Sequence, residues 1–473
     1  MGALGRQSAA LALAVVAAAG CGADRTPAEP ERRPNVLLVL ADALRRDHVG
    51  CFGYTRPTTP FLDTLAARGV VFDDALSQAP QTLNSTASMF TSRSFPFLLW
   101  GVKHDPVPGV DPEHREQWAR TPRLAAANLT LAEVLQGAGY ETTALFNNPH
   151  HHPTSGFAQG FDDARLLERD PDTAYARASS LADAFLVWHA GRDRSRPFFA
   201  YLHFMEPHNP YRPPASTREL FPPGPGRHLY TNGPPAPGFT AADLTHMTAL
   251  YDAEIRSFDD QLRRLVGVLE RRNDLGETLI IVTADHGDEF LDHGGLGHGT
   301  TVELELLRIP LVMAGGPVSD HAGSRVAPLV RNLDLAPTIV DMAGLAVPSE
   351  FEGSSLMPLI SKPGTSSTPP RVSFAWIAGL RSLTSSEWHC MRSPGADRPV
   401  LYDRVADPLG RQDVAASHPN ISALCDAEFD RLEVRKSETE RRARVLKALE
   451  TGGEVPPEKA EVLEQLRALG YVE

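Results

Sequence analysis

Cysteine is scarce. Four residues in a chain of 473 exclude a small fold built on disulfides. Basic side chains are in the minority, with 46 Lys and Arg against 59 Asp and Glu, a formal charge of −13. That carboxylate surplus repels phosphate backbones and argues against a nucleic-acid-wrapping protein. Beyond the N-terminus no apolar run approaches the roughly 20 residues that cross a bilayer, so the body of the chain reads as soluble. Polarity is not high enough for general disorder either, since 42% of residues are hydrophobic and only 22% charged. What is plentiful is Gly (37) and Pro (40), which predicts many loops on a folded body. The length suits one large α/β domain with an appendage, or two to three ordinary domains.

The first segment has the composition of an address. Arg6 precedes a short apolar run from Ala9 to Gly20, closing on Ala18, Ala19, Gly20 and Cys21. About a dozen apolar residues are too few for a membrane span but suit a signal peptide. The small residues before Cys21 resemble a bacterial lipobox, with Ala18 where Leu or Val is usual. Residues 1–21 are therefore expected to be an export signal. Cys21 is a candidate lipid anchor at a bacterial cell envelope, and 22–33 a polar, Pro-containing tether. An ordinary signal peptide with an incidental cysteine is the alternative. Of the other cysteines, Cys390 and Cys425 form the plausible pair and Cys51 the odd one.

Apolar runs at Asn35–Leu40, Thr142–Phe146, Phe198–Phe204, Thr278–Thr283 and Ile309–Met313 predict strands buried on both faces. Helical patterns fall between them. Thr130 and Glu133 form a capping box before a helix that Gly137 is placed to stop. Ile255, Phe258, Leu262, Leu265 and Leu269 make one apolar helix stripe. Strands alternating with helices predict a mostly parallel sheet covered on both sides, with ligands beyond the carboxyl ends of its strands. Residues 34–360 are expected to form the catalytic domain and 361–370 a linker. Residues 371–473 are expected to form a small α+β subdomain with terminal helices, the last being Glu461–Leu469.

The chemistry is concentrated just past those runs. Asp42 follows the first strand, and Asp285 and His286 follow the run at 278–283, ahead of Gly287, Asp288, Glu289, His293 and His298. A buried acid after each of two strands is costly unless offset, and a divalent cation is the common remedy. Asp and His together suit zinc or a transition metal. Thr82, Asn84, Ser85 and Thr86 begin a helix-like run, where a hydroxyl beside a metal can attack a phosphoryl or sulfuryl centre. His208 is presented by a proline-fixed loop after the strand at 198–204. His150, His151 and His152 also follow a strand; a solvated loop is the reading preferred over a second metal site.

These segments together resemble the sulfatase family of the alkaline phosphatase superfamily, over nearly all of Pro34 to Glu473. The carrying residues are the opening through Asp42, Cys51 to Tyr54, and Arg56 to Asp63. Gly156 to Asp162, Thr283 to Glu289, Gly297 to Gly299 and Arg308 to Leu311 continue the match. Asp334 to Thr338 and the closing Leu469 to Val472 complete it. The resemblance implies an α/β sandwich with a central, mostly parallel sheet covered by helices, plus a small C-terminal α+β subdomain. It implies a divalent metal, calcium, manganese and zinc not being distinguished, held by Asp42, Asp285 and His286 with the nucleophile oxygen of Thr82. It implies that His208 contacts substrate or assists the leaving group. His298 stands where relatives often carry a Lys that binds the substrate's anionic group, and Asn84 is a further candidate substrate-binding residue.

The chain departs from the family at one decisive place. Sulfatases carry Cys or Ser in a Cys-x-Pro-Ser-Arg frame that is converted to formylglycine. Here the stretch runs Thr82, Leu83, Asn84, Ser85, Thr86, so no formylglycine is expected. A formylglycine hydrate frees sulfate by hemiacetal collapse. A sulfated threonine has no second hydroxyl and needs water to attack sulfur. Thr nucleophiles resemble those of the superfamily's phosphoethanolamine and phosphoglycerol transferases. The expected activity is therefore hydrolysis of a phosphoric, phosphonic or sulfuric ester on a small molecule, glycan or lipid. The alternatives are an envelope phosphotransferase, or a binding protein that kept the fold and lost turnover.

Overall fold

The computed structural model describes residues 33–102, 122–152, 155–170, 173, 175–362 and 371–450. The expected signal, nearly all of the tether, most of the linker and the closing helix at 461–469 lie outside them. Among the described residues no helix is long and apolar enough to cross a membrane.

The run that opens the body folds as β1 (Asn35–Ala41), and all seven of its residues are buried. A strand without alternation needs cover on both faces, and β1 has it at the centre of an eight-stranded sheet. In chain order the others are β2 (Gly69–Phe72), β3 (Glu141–Phe146), β4 (Asp163–Leu166), β5 (Phe198–Phe204), β6 (Thr278–Ala284), β7 (Leu311–Ala314) and β8 (Ser324–Val326). The spatial order is β8-β2-β7-β6-β1-β5-β3-β4, and β7 alone runs against the rest. The run expected as one strand at 309–313 is split by Pro310. Arg308–Ile309 pairs in a small separate sheet, and β7 starts at Leu311. Proline has no N–H for a ladder, and its carbonyl is taken by Thr283 Oγ1 at 2.9 Å.

Four helices matter here: α1 (Thr82–Thr91), α2 (Leu131–Gly137), α3 (Ala241–Arg271) and α4 (Pro419–Glu450). The capping box of α2 forms as expected. Gly137 remains helical, however, and the left-handed turn that ends the segment is made by Gly139 (φ 90°). The α3 stripe is fully buried at Ile255, Phe258, Leu262, Leu265 and Leu269. Leu262→Ala is expected to cost about 2–5 kcal/mol through the cavity it leaves. A lower denaturant midpoint at unchanged slope checks this; a loss under about 1 kcal/mol would contradict that packing.

The C-terminal part carries a four-stranded antiparallel sheet, β9 (Ser373–Ile377), β10 (Leu380–Thr384), β11 (Trp388–Arg392) and β12 (Val400–Asp403), against α4. Its own apolar cluster includes Phe374, Trp376, Leu401, Phe429, Cys390 and Cys425. The expected disulfide is not formed. The two cysteines are buried free thiols. Cys51 is a poor nucleophile, its thiol pushed up to about 12 by burial and then by the Asp63 carboxylate.

Candidate active site

The parallel neighbours β5, β1 and β6 end level with one another. Leu40 stands opposite His203 on one side and Thr283 on the other, so the residues that follow converge on one rim. Asp42 is fully buried there, followed by Ala43 at φ 60°. A left-handed alanine costs about 1–2 kcal/mol, and both of its backbone groups are satisfied. Its N–H donates to Asp285 Oδ1 at 3.1 Å, and its carbonyl accepts from Tyr251 at 2.7 Å. Asp285 Oδ1 also accepts from the His286 N–H at 2.9 Å. Gly287 is required, since a Cβ there would lie 2.2 Å from the Glu305 carbonyl oxygen.

Thr82 is the first residue of α1 and is buried. The residue before it, Gln81, is extended and makes no side-chain cap, and no acid occupies the first turn. The positive end of the helix therefore faces the site without a competing side chain. Thr82 Oγ1 lies 3.3 Å from His286 Nε2 and 3.5 and 3.4 Å from the two oxygens of Asp42. These separations are long for O–H hydrogen bonds, whose usual length is about 2.7–2.8 Å. They are the spacing, on the order of 3.4 Å, of ligand atoms sharing one cation at about 2.0–2.5 Å.

Two further observations fit a divalent cation. Asp285 Oδ2 is buried and has no hydrogen-bond partner among the described residues, an expensive condition for a carboxylate oxygen. It lies 3.5 Å from His286 Nε2. His286 Nδ1 is 2.9 Å from the Gly287 carbonyl and donates to it, so Nε2 carries a lone pair. A lone pair facing an orphan carboxylate oxygen is repulsive until a cation stands between them. One atom each from Asp42, Asp285 and His203 also lies within 4.8 Å of the others. The geometry favours His203 as an orienting residue. Its Nε2 is 2.9 Å from Asp42 Oδ2, its Nδ1 is 2.9 Å from the Tyr201 hydroxyl, and Asn148 Nδ2 donates to the same Asp42 oxygen at 2.7 Å. Burial pushes the Asp42 carboxyl up, but His208 and the hydrogen bond from His203 outweigh it and hold it well below the usual range.

A cavity of about 410 Å³ opens over Thr82. Its wall includes His208, His298, Tyr175, Asn148, Asn232 and His150. The rings of His208 and His298 stand 4.9 Å apart, and His298 is 4.4 Å from His286. The structure thus gathers Asp42, Thr82, Asp285, His286, His208 and His298 in one place. Asn84 is not in that wall: it sits half-buried two residues into α1, where its carbonyl accepts from Ser88. The His150 to His152 stretch is not the expected solvated loop. His151 is fully buried, stacked on Phe146 at 5.3 Å, with Nε2 2.8 Å from Thr86 Oγ1. Sequence reasoning gave no role to His203, Asn148 or Asp288. Asn148 stands just past the end of β3, the strand-end signal that Asp42 also carries, whereas His203 lies inside β5.

The site thus sets a buried threonine, first residue of a helix, beside the Asp42 carboxylate and the His286 imidazole at the strand ends of an α/β sheet. The sulfatase family profile matches residues 34–345, and the chain belongs to that family, within the alkaline phosphatase superfamily. It is 24% identical over 488 residues to arylsulfatase K of Rattus norvegicus, covering 89% of this chain and 82% of that one. The fold is shared with a structure solved with its substrate D-glucosamine-2-N,6-O-disulfate (TM-score 0.69, 17% identity, 86% of this chain and 99% of that one). It is shared equally with the phosphonate monoester hydrolase of Agrobacterium radiobacter (TM-score 0.66, 22% identity, 86% and 96%).

Proposed function

We propose that this chain is an exported, divalent-metal-dependent hydrolase of phosphoric or phosphonic esters, with Thr82 as its nucleophile. One observation carries the reading: Thr82 Oγ1 lies within 3.5 Å of Asp42 and His286 at the uncapped start of α1, under the cavity. Asp42, Asp285, His286 and Thr82 would hold the cation. When bound, it would polarise the ester and favour the ionised form of the hydroxyl. The protein's own groups supply the rest. The N-terminus of α1 faces the anionic ester oxygens, and Asn148 and His203 keep Asp42 turned toward Thr82. His208 and His298 line the cavity above Thr82, within reach of a bound ester and its leaving group.

Phosphorus is favoured over sulfur by the nucleophile. A threonine ester formed in the first step must be opened by water at the central atom, because threonine offers no hemiacetal route. The sulfatase reading stands second, supported by the family and by a neighbour solved with a sulfated sugar. A wall of histidines, asparagines and a tyrosine suits a polar, hydroxylated substrate such as a sugar ester rather than a long acyl chain. An envelope location follows from the N-terminal segment, with Cys21 as the proposed lipid anchor.

The test uses a phosphate diester, a phosphate monoester, a phosphonate monoester and a sulfate ester sharing one chromogenic leaving group. The best phosphorus ester is expected to exceed the sulfate in kcat/KM by about tenfold or more, about 1.4 kcal/mol of transition-state binding. A sulfate ester turned over faster than every phosphorus ester would reverse the assignment.

A further inference from the structure

Asp288 lies two residues beyond His286 and is fully buried. A short hairpin brings it to His298: Glu289 pairs with Gly297 and Phe290 with Leu296, so residues 288 and 298 flank the open end of one ladder. Asp288 Oδ1 is 2.6 Å from His298 Nδ1, and Tyr211 donates to Oδ2 at 2.7 Å. The Tyr230 hydroxyl bridges the pair, 3.4 Å from Oδ1 and 3.2 Å from Nδ1. An ionised carboxylate only accepts, so Nδ1 carries the proton and Nε2 is the nitrogen left to serve the cavity. The other imidazole in that wall is held differently. His208 Nδ1 is 2.5 Å from the Asn209 carbonyl and 3.2 Å from the Tyr175 hydroxyl, both neutral.

We propose that Asp288 is a positioning residue that makes His298, rather than His208, the group that moves the proton on the leaving-group side. The inference rests on Thr82 being the nucleophile. In the first step the ionised Thr82 Oγ1 bonds to phosphorus and the bond to the leaving oxygen breaks. That oxygen keeps the electron pair and takes the proton from His298 Nε2. In the second step water enters where the leaving group departed, so the same imidazole serves in reverse. The water oxygen bonds to phosphorus, its proton returns to His298 Nε2, and the bond to Thr82 breaks with its pair left on Oγ1. Throughout, Asp288 keeps the ring oriented, fixes its tautomer and faces the positive charge that the doubly protonated ring carries. No carboxylate hydrogen-bonds the His208 ring to fix it in the same way, which leaves His208 to hydrogen-bond the substrate.

The pair is tested in the full-length, metal-loaded protein with a nitrophenyl phosphorus ester, whose leaving group departs without a proton. The covalent step then survives in Asp288→Asn and in His298→Gln while the water step fails. Both variants are expected to show a stoichiometric nitrophenol burst, then steady-state turnover slowed by about a hundredfold or more. Their KM for the ester is expected to fall or stay level. Their intact mass is expected to rise by one phosphoryl group, located on Thr82 by peptide mapping. His298→Gln, whose side chain lies at the cavity, guards against the case in which Asp288→Asn merely misfolds. Burst and steady state lost together in a folded His298→Gln, or wild-type turnover in it, would overturn the proposal. So would covalent enzyme accumulating in His208→Gln instead. A separate failure is diagnostic of the nucleophile itself: if Thr82→Ala turns over normally and no variant ever carries phosphoryl, the Thr82 reading falls first.

Discussion

Thr82→Ala is expected to lower kcat/KM by about 10⁴-fold or more while leaving the fold intact, as removal of an activated nucleophile does elsewhere. The size of the effect follows from how little else stands in reach of a reacting phosphorus. Among the hydroxyls of the same turn, Ser85 Oγ is committed to the Asp285 carbonyl at 2.7 Å and Ser77 at 2.9 Å. Thr86 Oγ1 is bound to the Thr82 carbonyl at 2.7 Å and to His151 at 2.8 Å. Neither can replace Oγ1 without dismantling the floor of the site. Alanine is the best helix former, and Thr82 stands at the first position of α1, so the helix itself tolerates the change. Thr82→Ser keeps the oxygen and is expected to retain activity within about tenfold to a hundredfold, losing only the rotamer restraint that the branched side chain provides. Kinetics with the phosphorus ester, with circular dichroism and melting as fold controls, decide the matter. A Thr82→Ala protein that keeps more than about a tenth of wild-type activity would leave the site without its nucleophile.

The parts of this site that were legible in the sequence share one property: they follow directly on an apolar run. Asp42 and the Asp285–His286 pair announce themselves because a carboxylate at the end of a doubly covered strand has few inexpensive uses. The same runs gave β1, β5 and β6 almost to the residue, and with them the central sheet. What was not legible depends on register and on return paths. His203 sits inside the apolar run of β5, and only its place opposite Leu40 and beside Asp42 gives it work. Asp288 meets His298 through a two-residue ladder too short to leave a pattern. The short strands β2, β4 and β8 have four, four and three residues, too few for a periodic signal. The histidines at 150–152 look polar in sequence, yet the turn after β3 folds His151 back over Thr86, where ring stacking and one hydrogen bond keep it dry.

Asp285→Asn should separate the metal's contribution to stability from that of the fold, because the sign of its effect reverses with the cation. In the metal-free protein Asp285 is an acid with one oxygen satisfied by two backbone N–H groups and the other orphaned. Asparagine keeps the accepting oxygen. It turns an N–H donor toward the His286 Nε2 lone pair, 3.5 Å away, replacing a repulsion with an attraction. Without divalent ions the variant is therefore expected to melt at or above wild type. With a divalent ion in excess the order inverts. Wild type gains RT ln(1 + [M]/Kd), about 2.7 kcal/mol when the free ion is a hundredfold above Kd. The variant has exchanged an anionic ligand for a neutral amide, which binds hard cations weakly, and its affinity is expected to drop by about a hundredfold or more. Metal content after dialysis and melting curves with and without calcium, manganese or zinc measure both halves, independently of any substrate. The same titration identifies the ion: the metal that raises the wild-type melting temperature most at equal concentration, and fails to raise that of the variant, is the one these ligands select. A wild-type protein whose melting is indifferent to all three ions, or a variant that gains as much as wild type, would mean that the orphan oxygen of Asp285 is not a metal ligand.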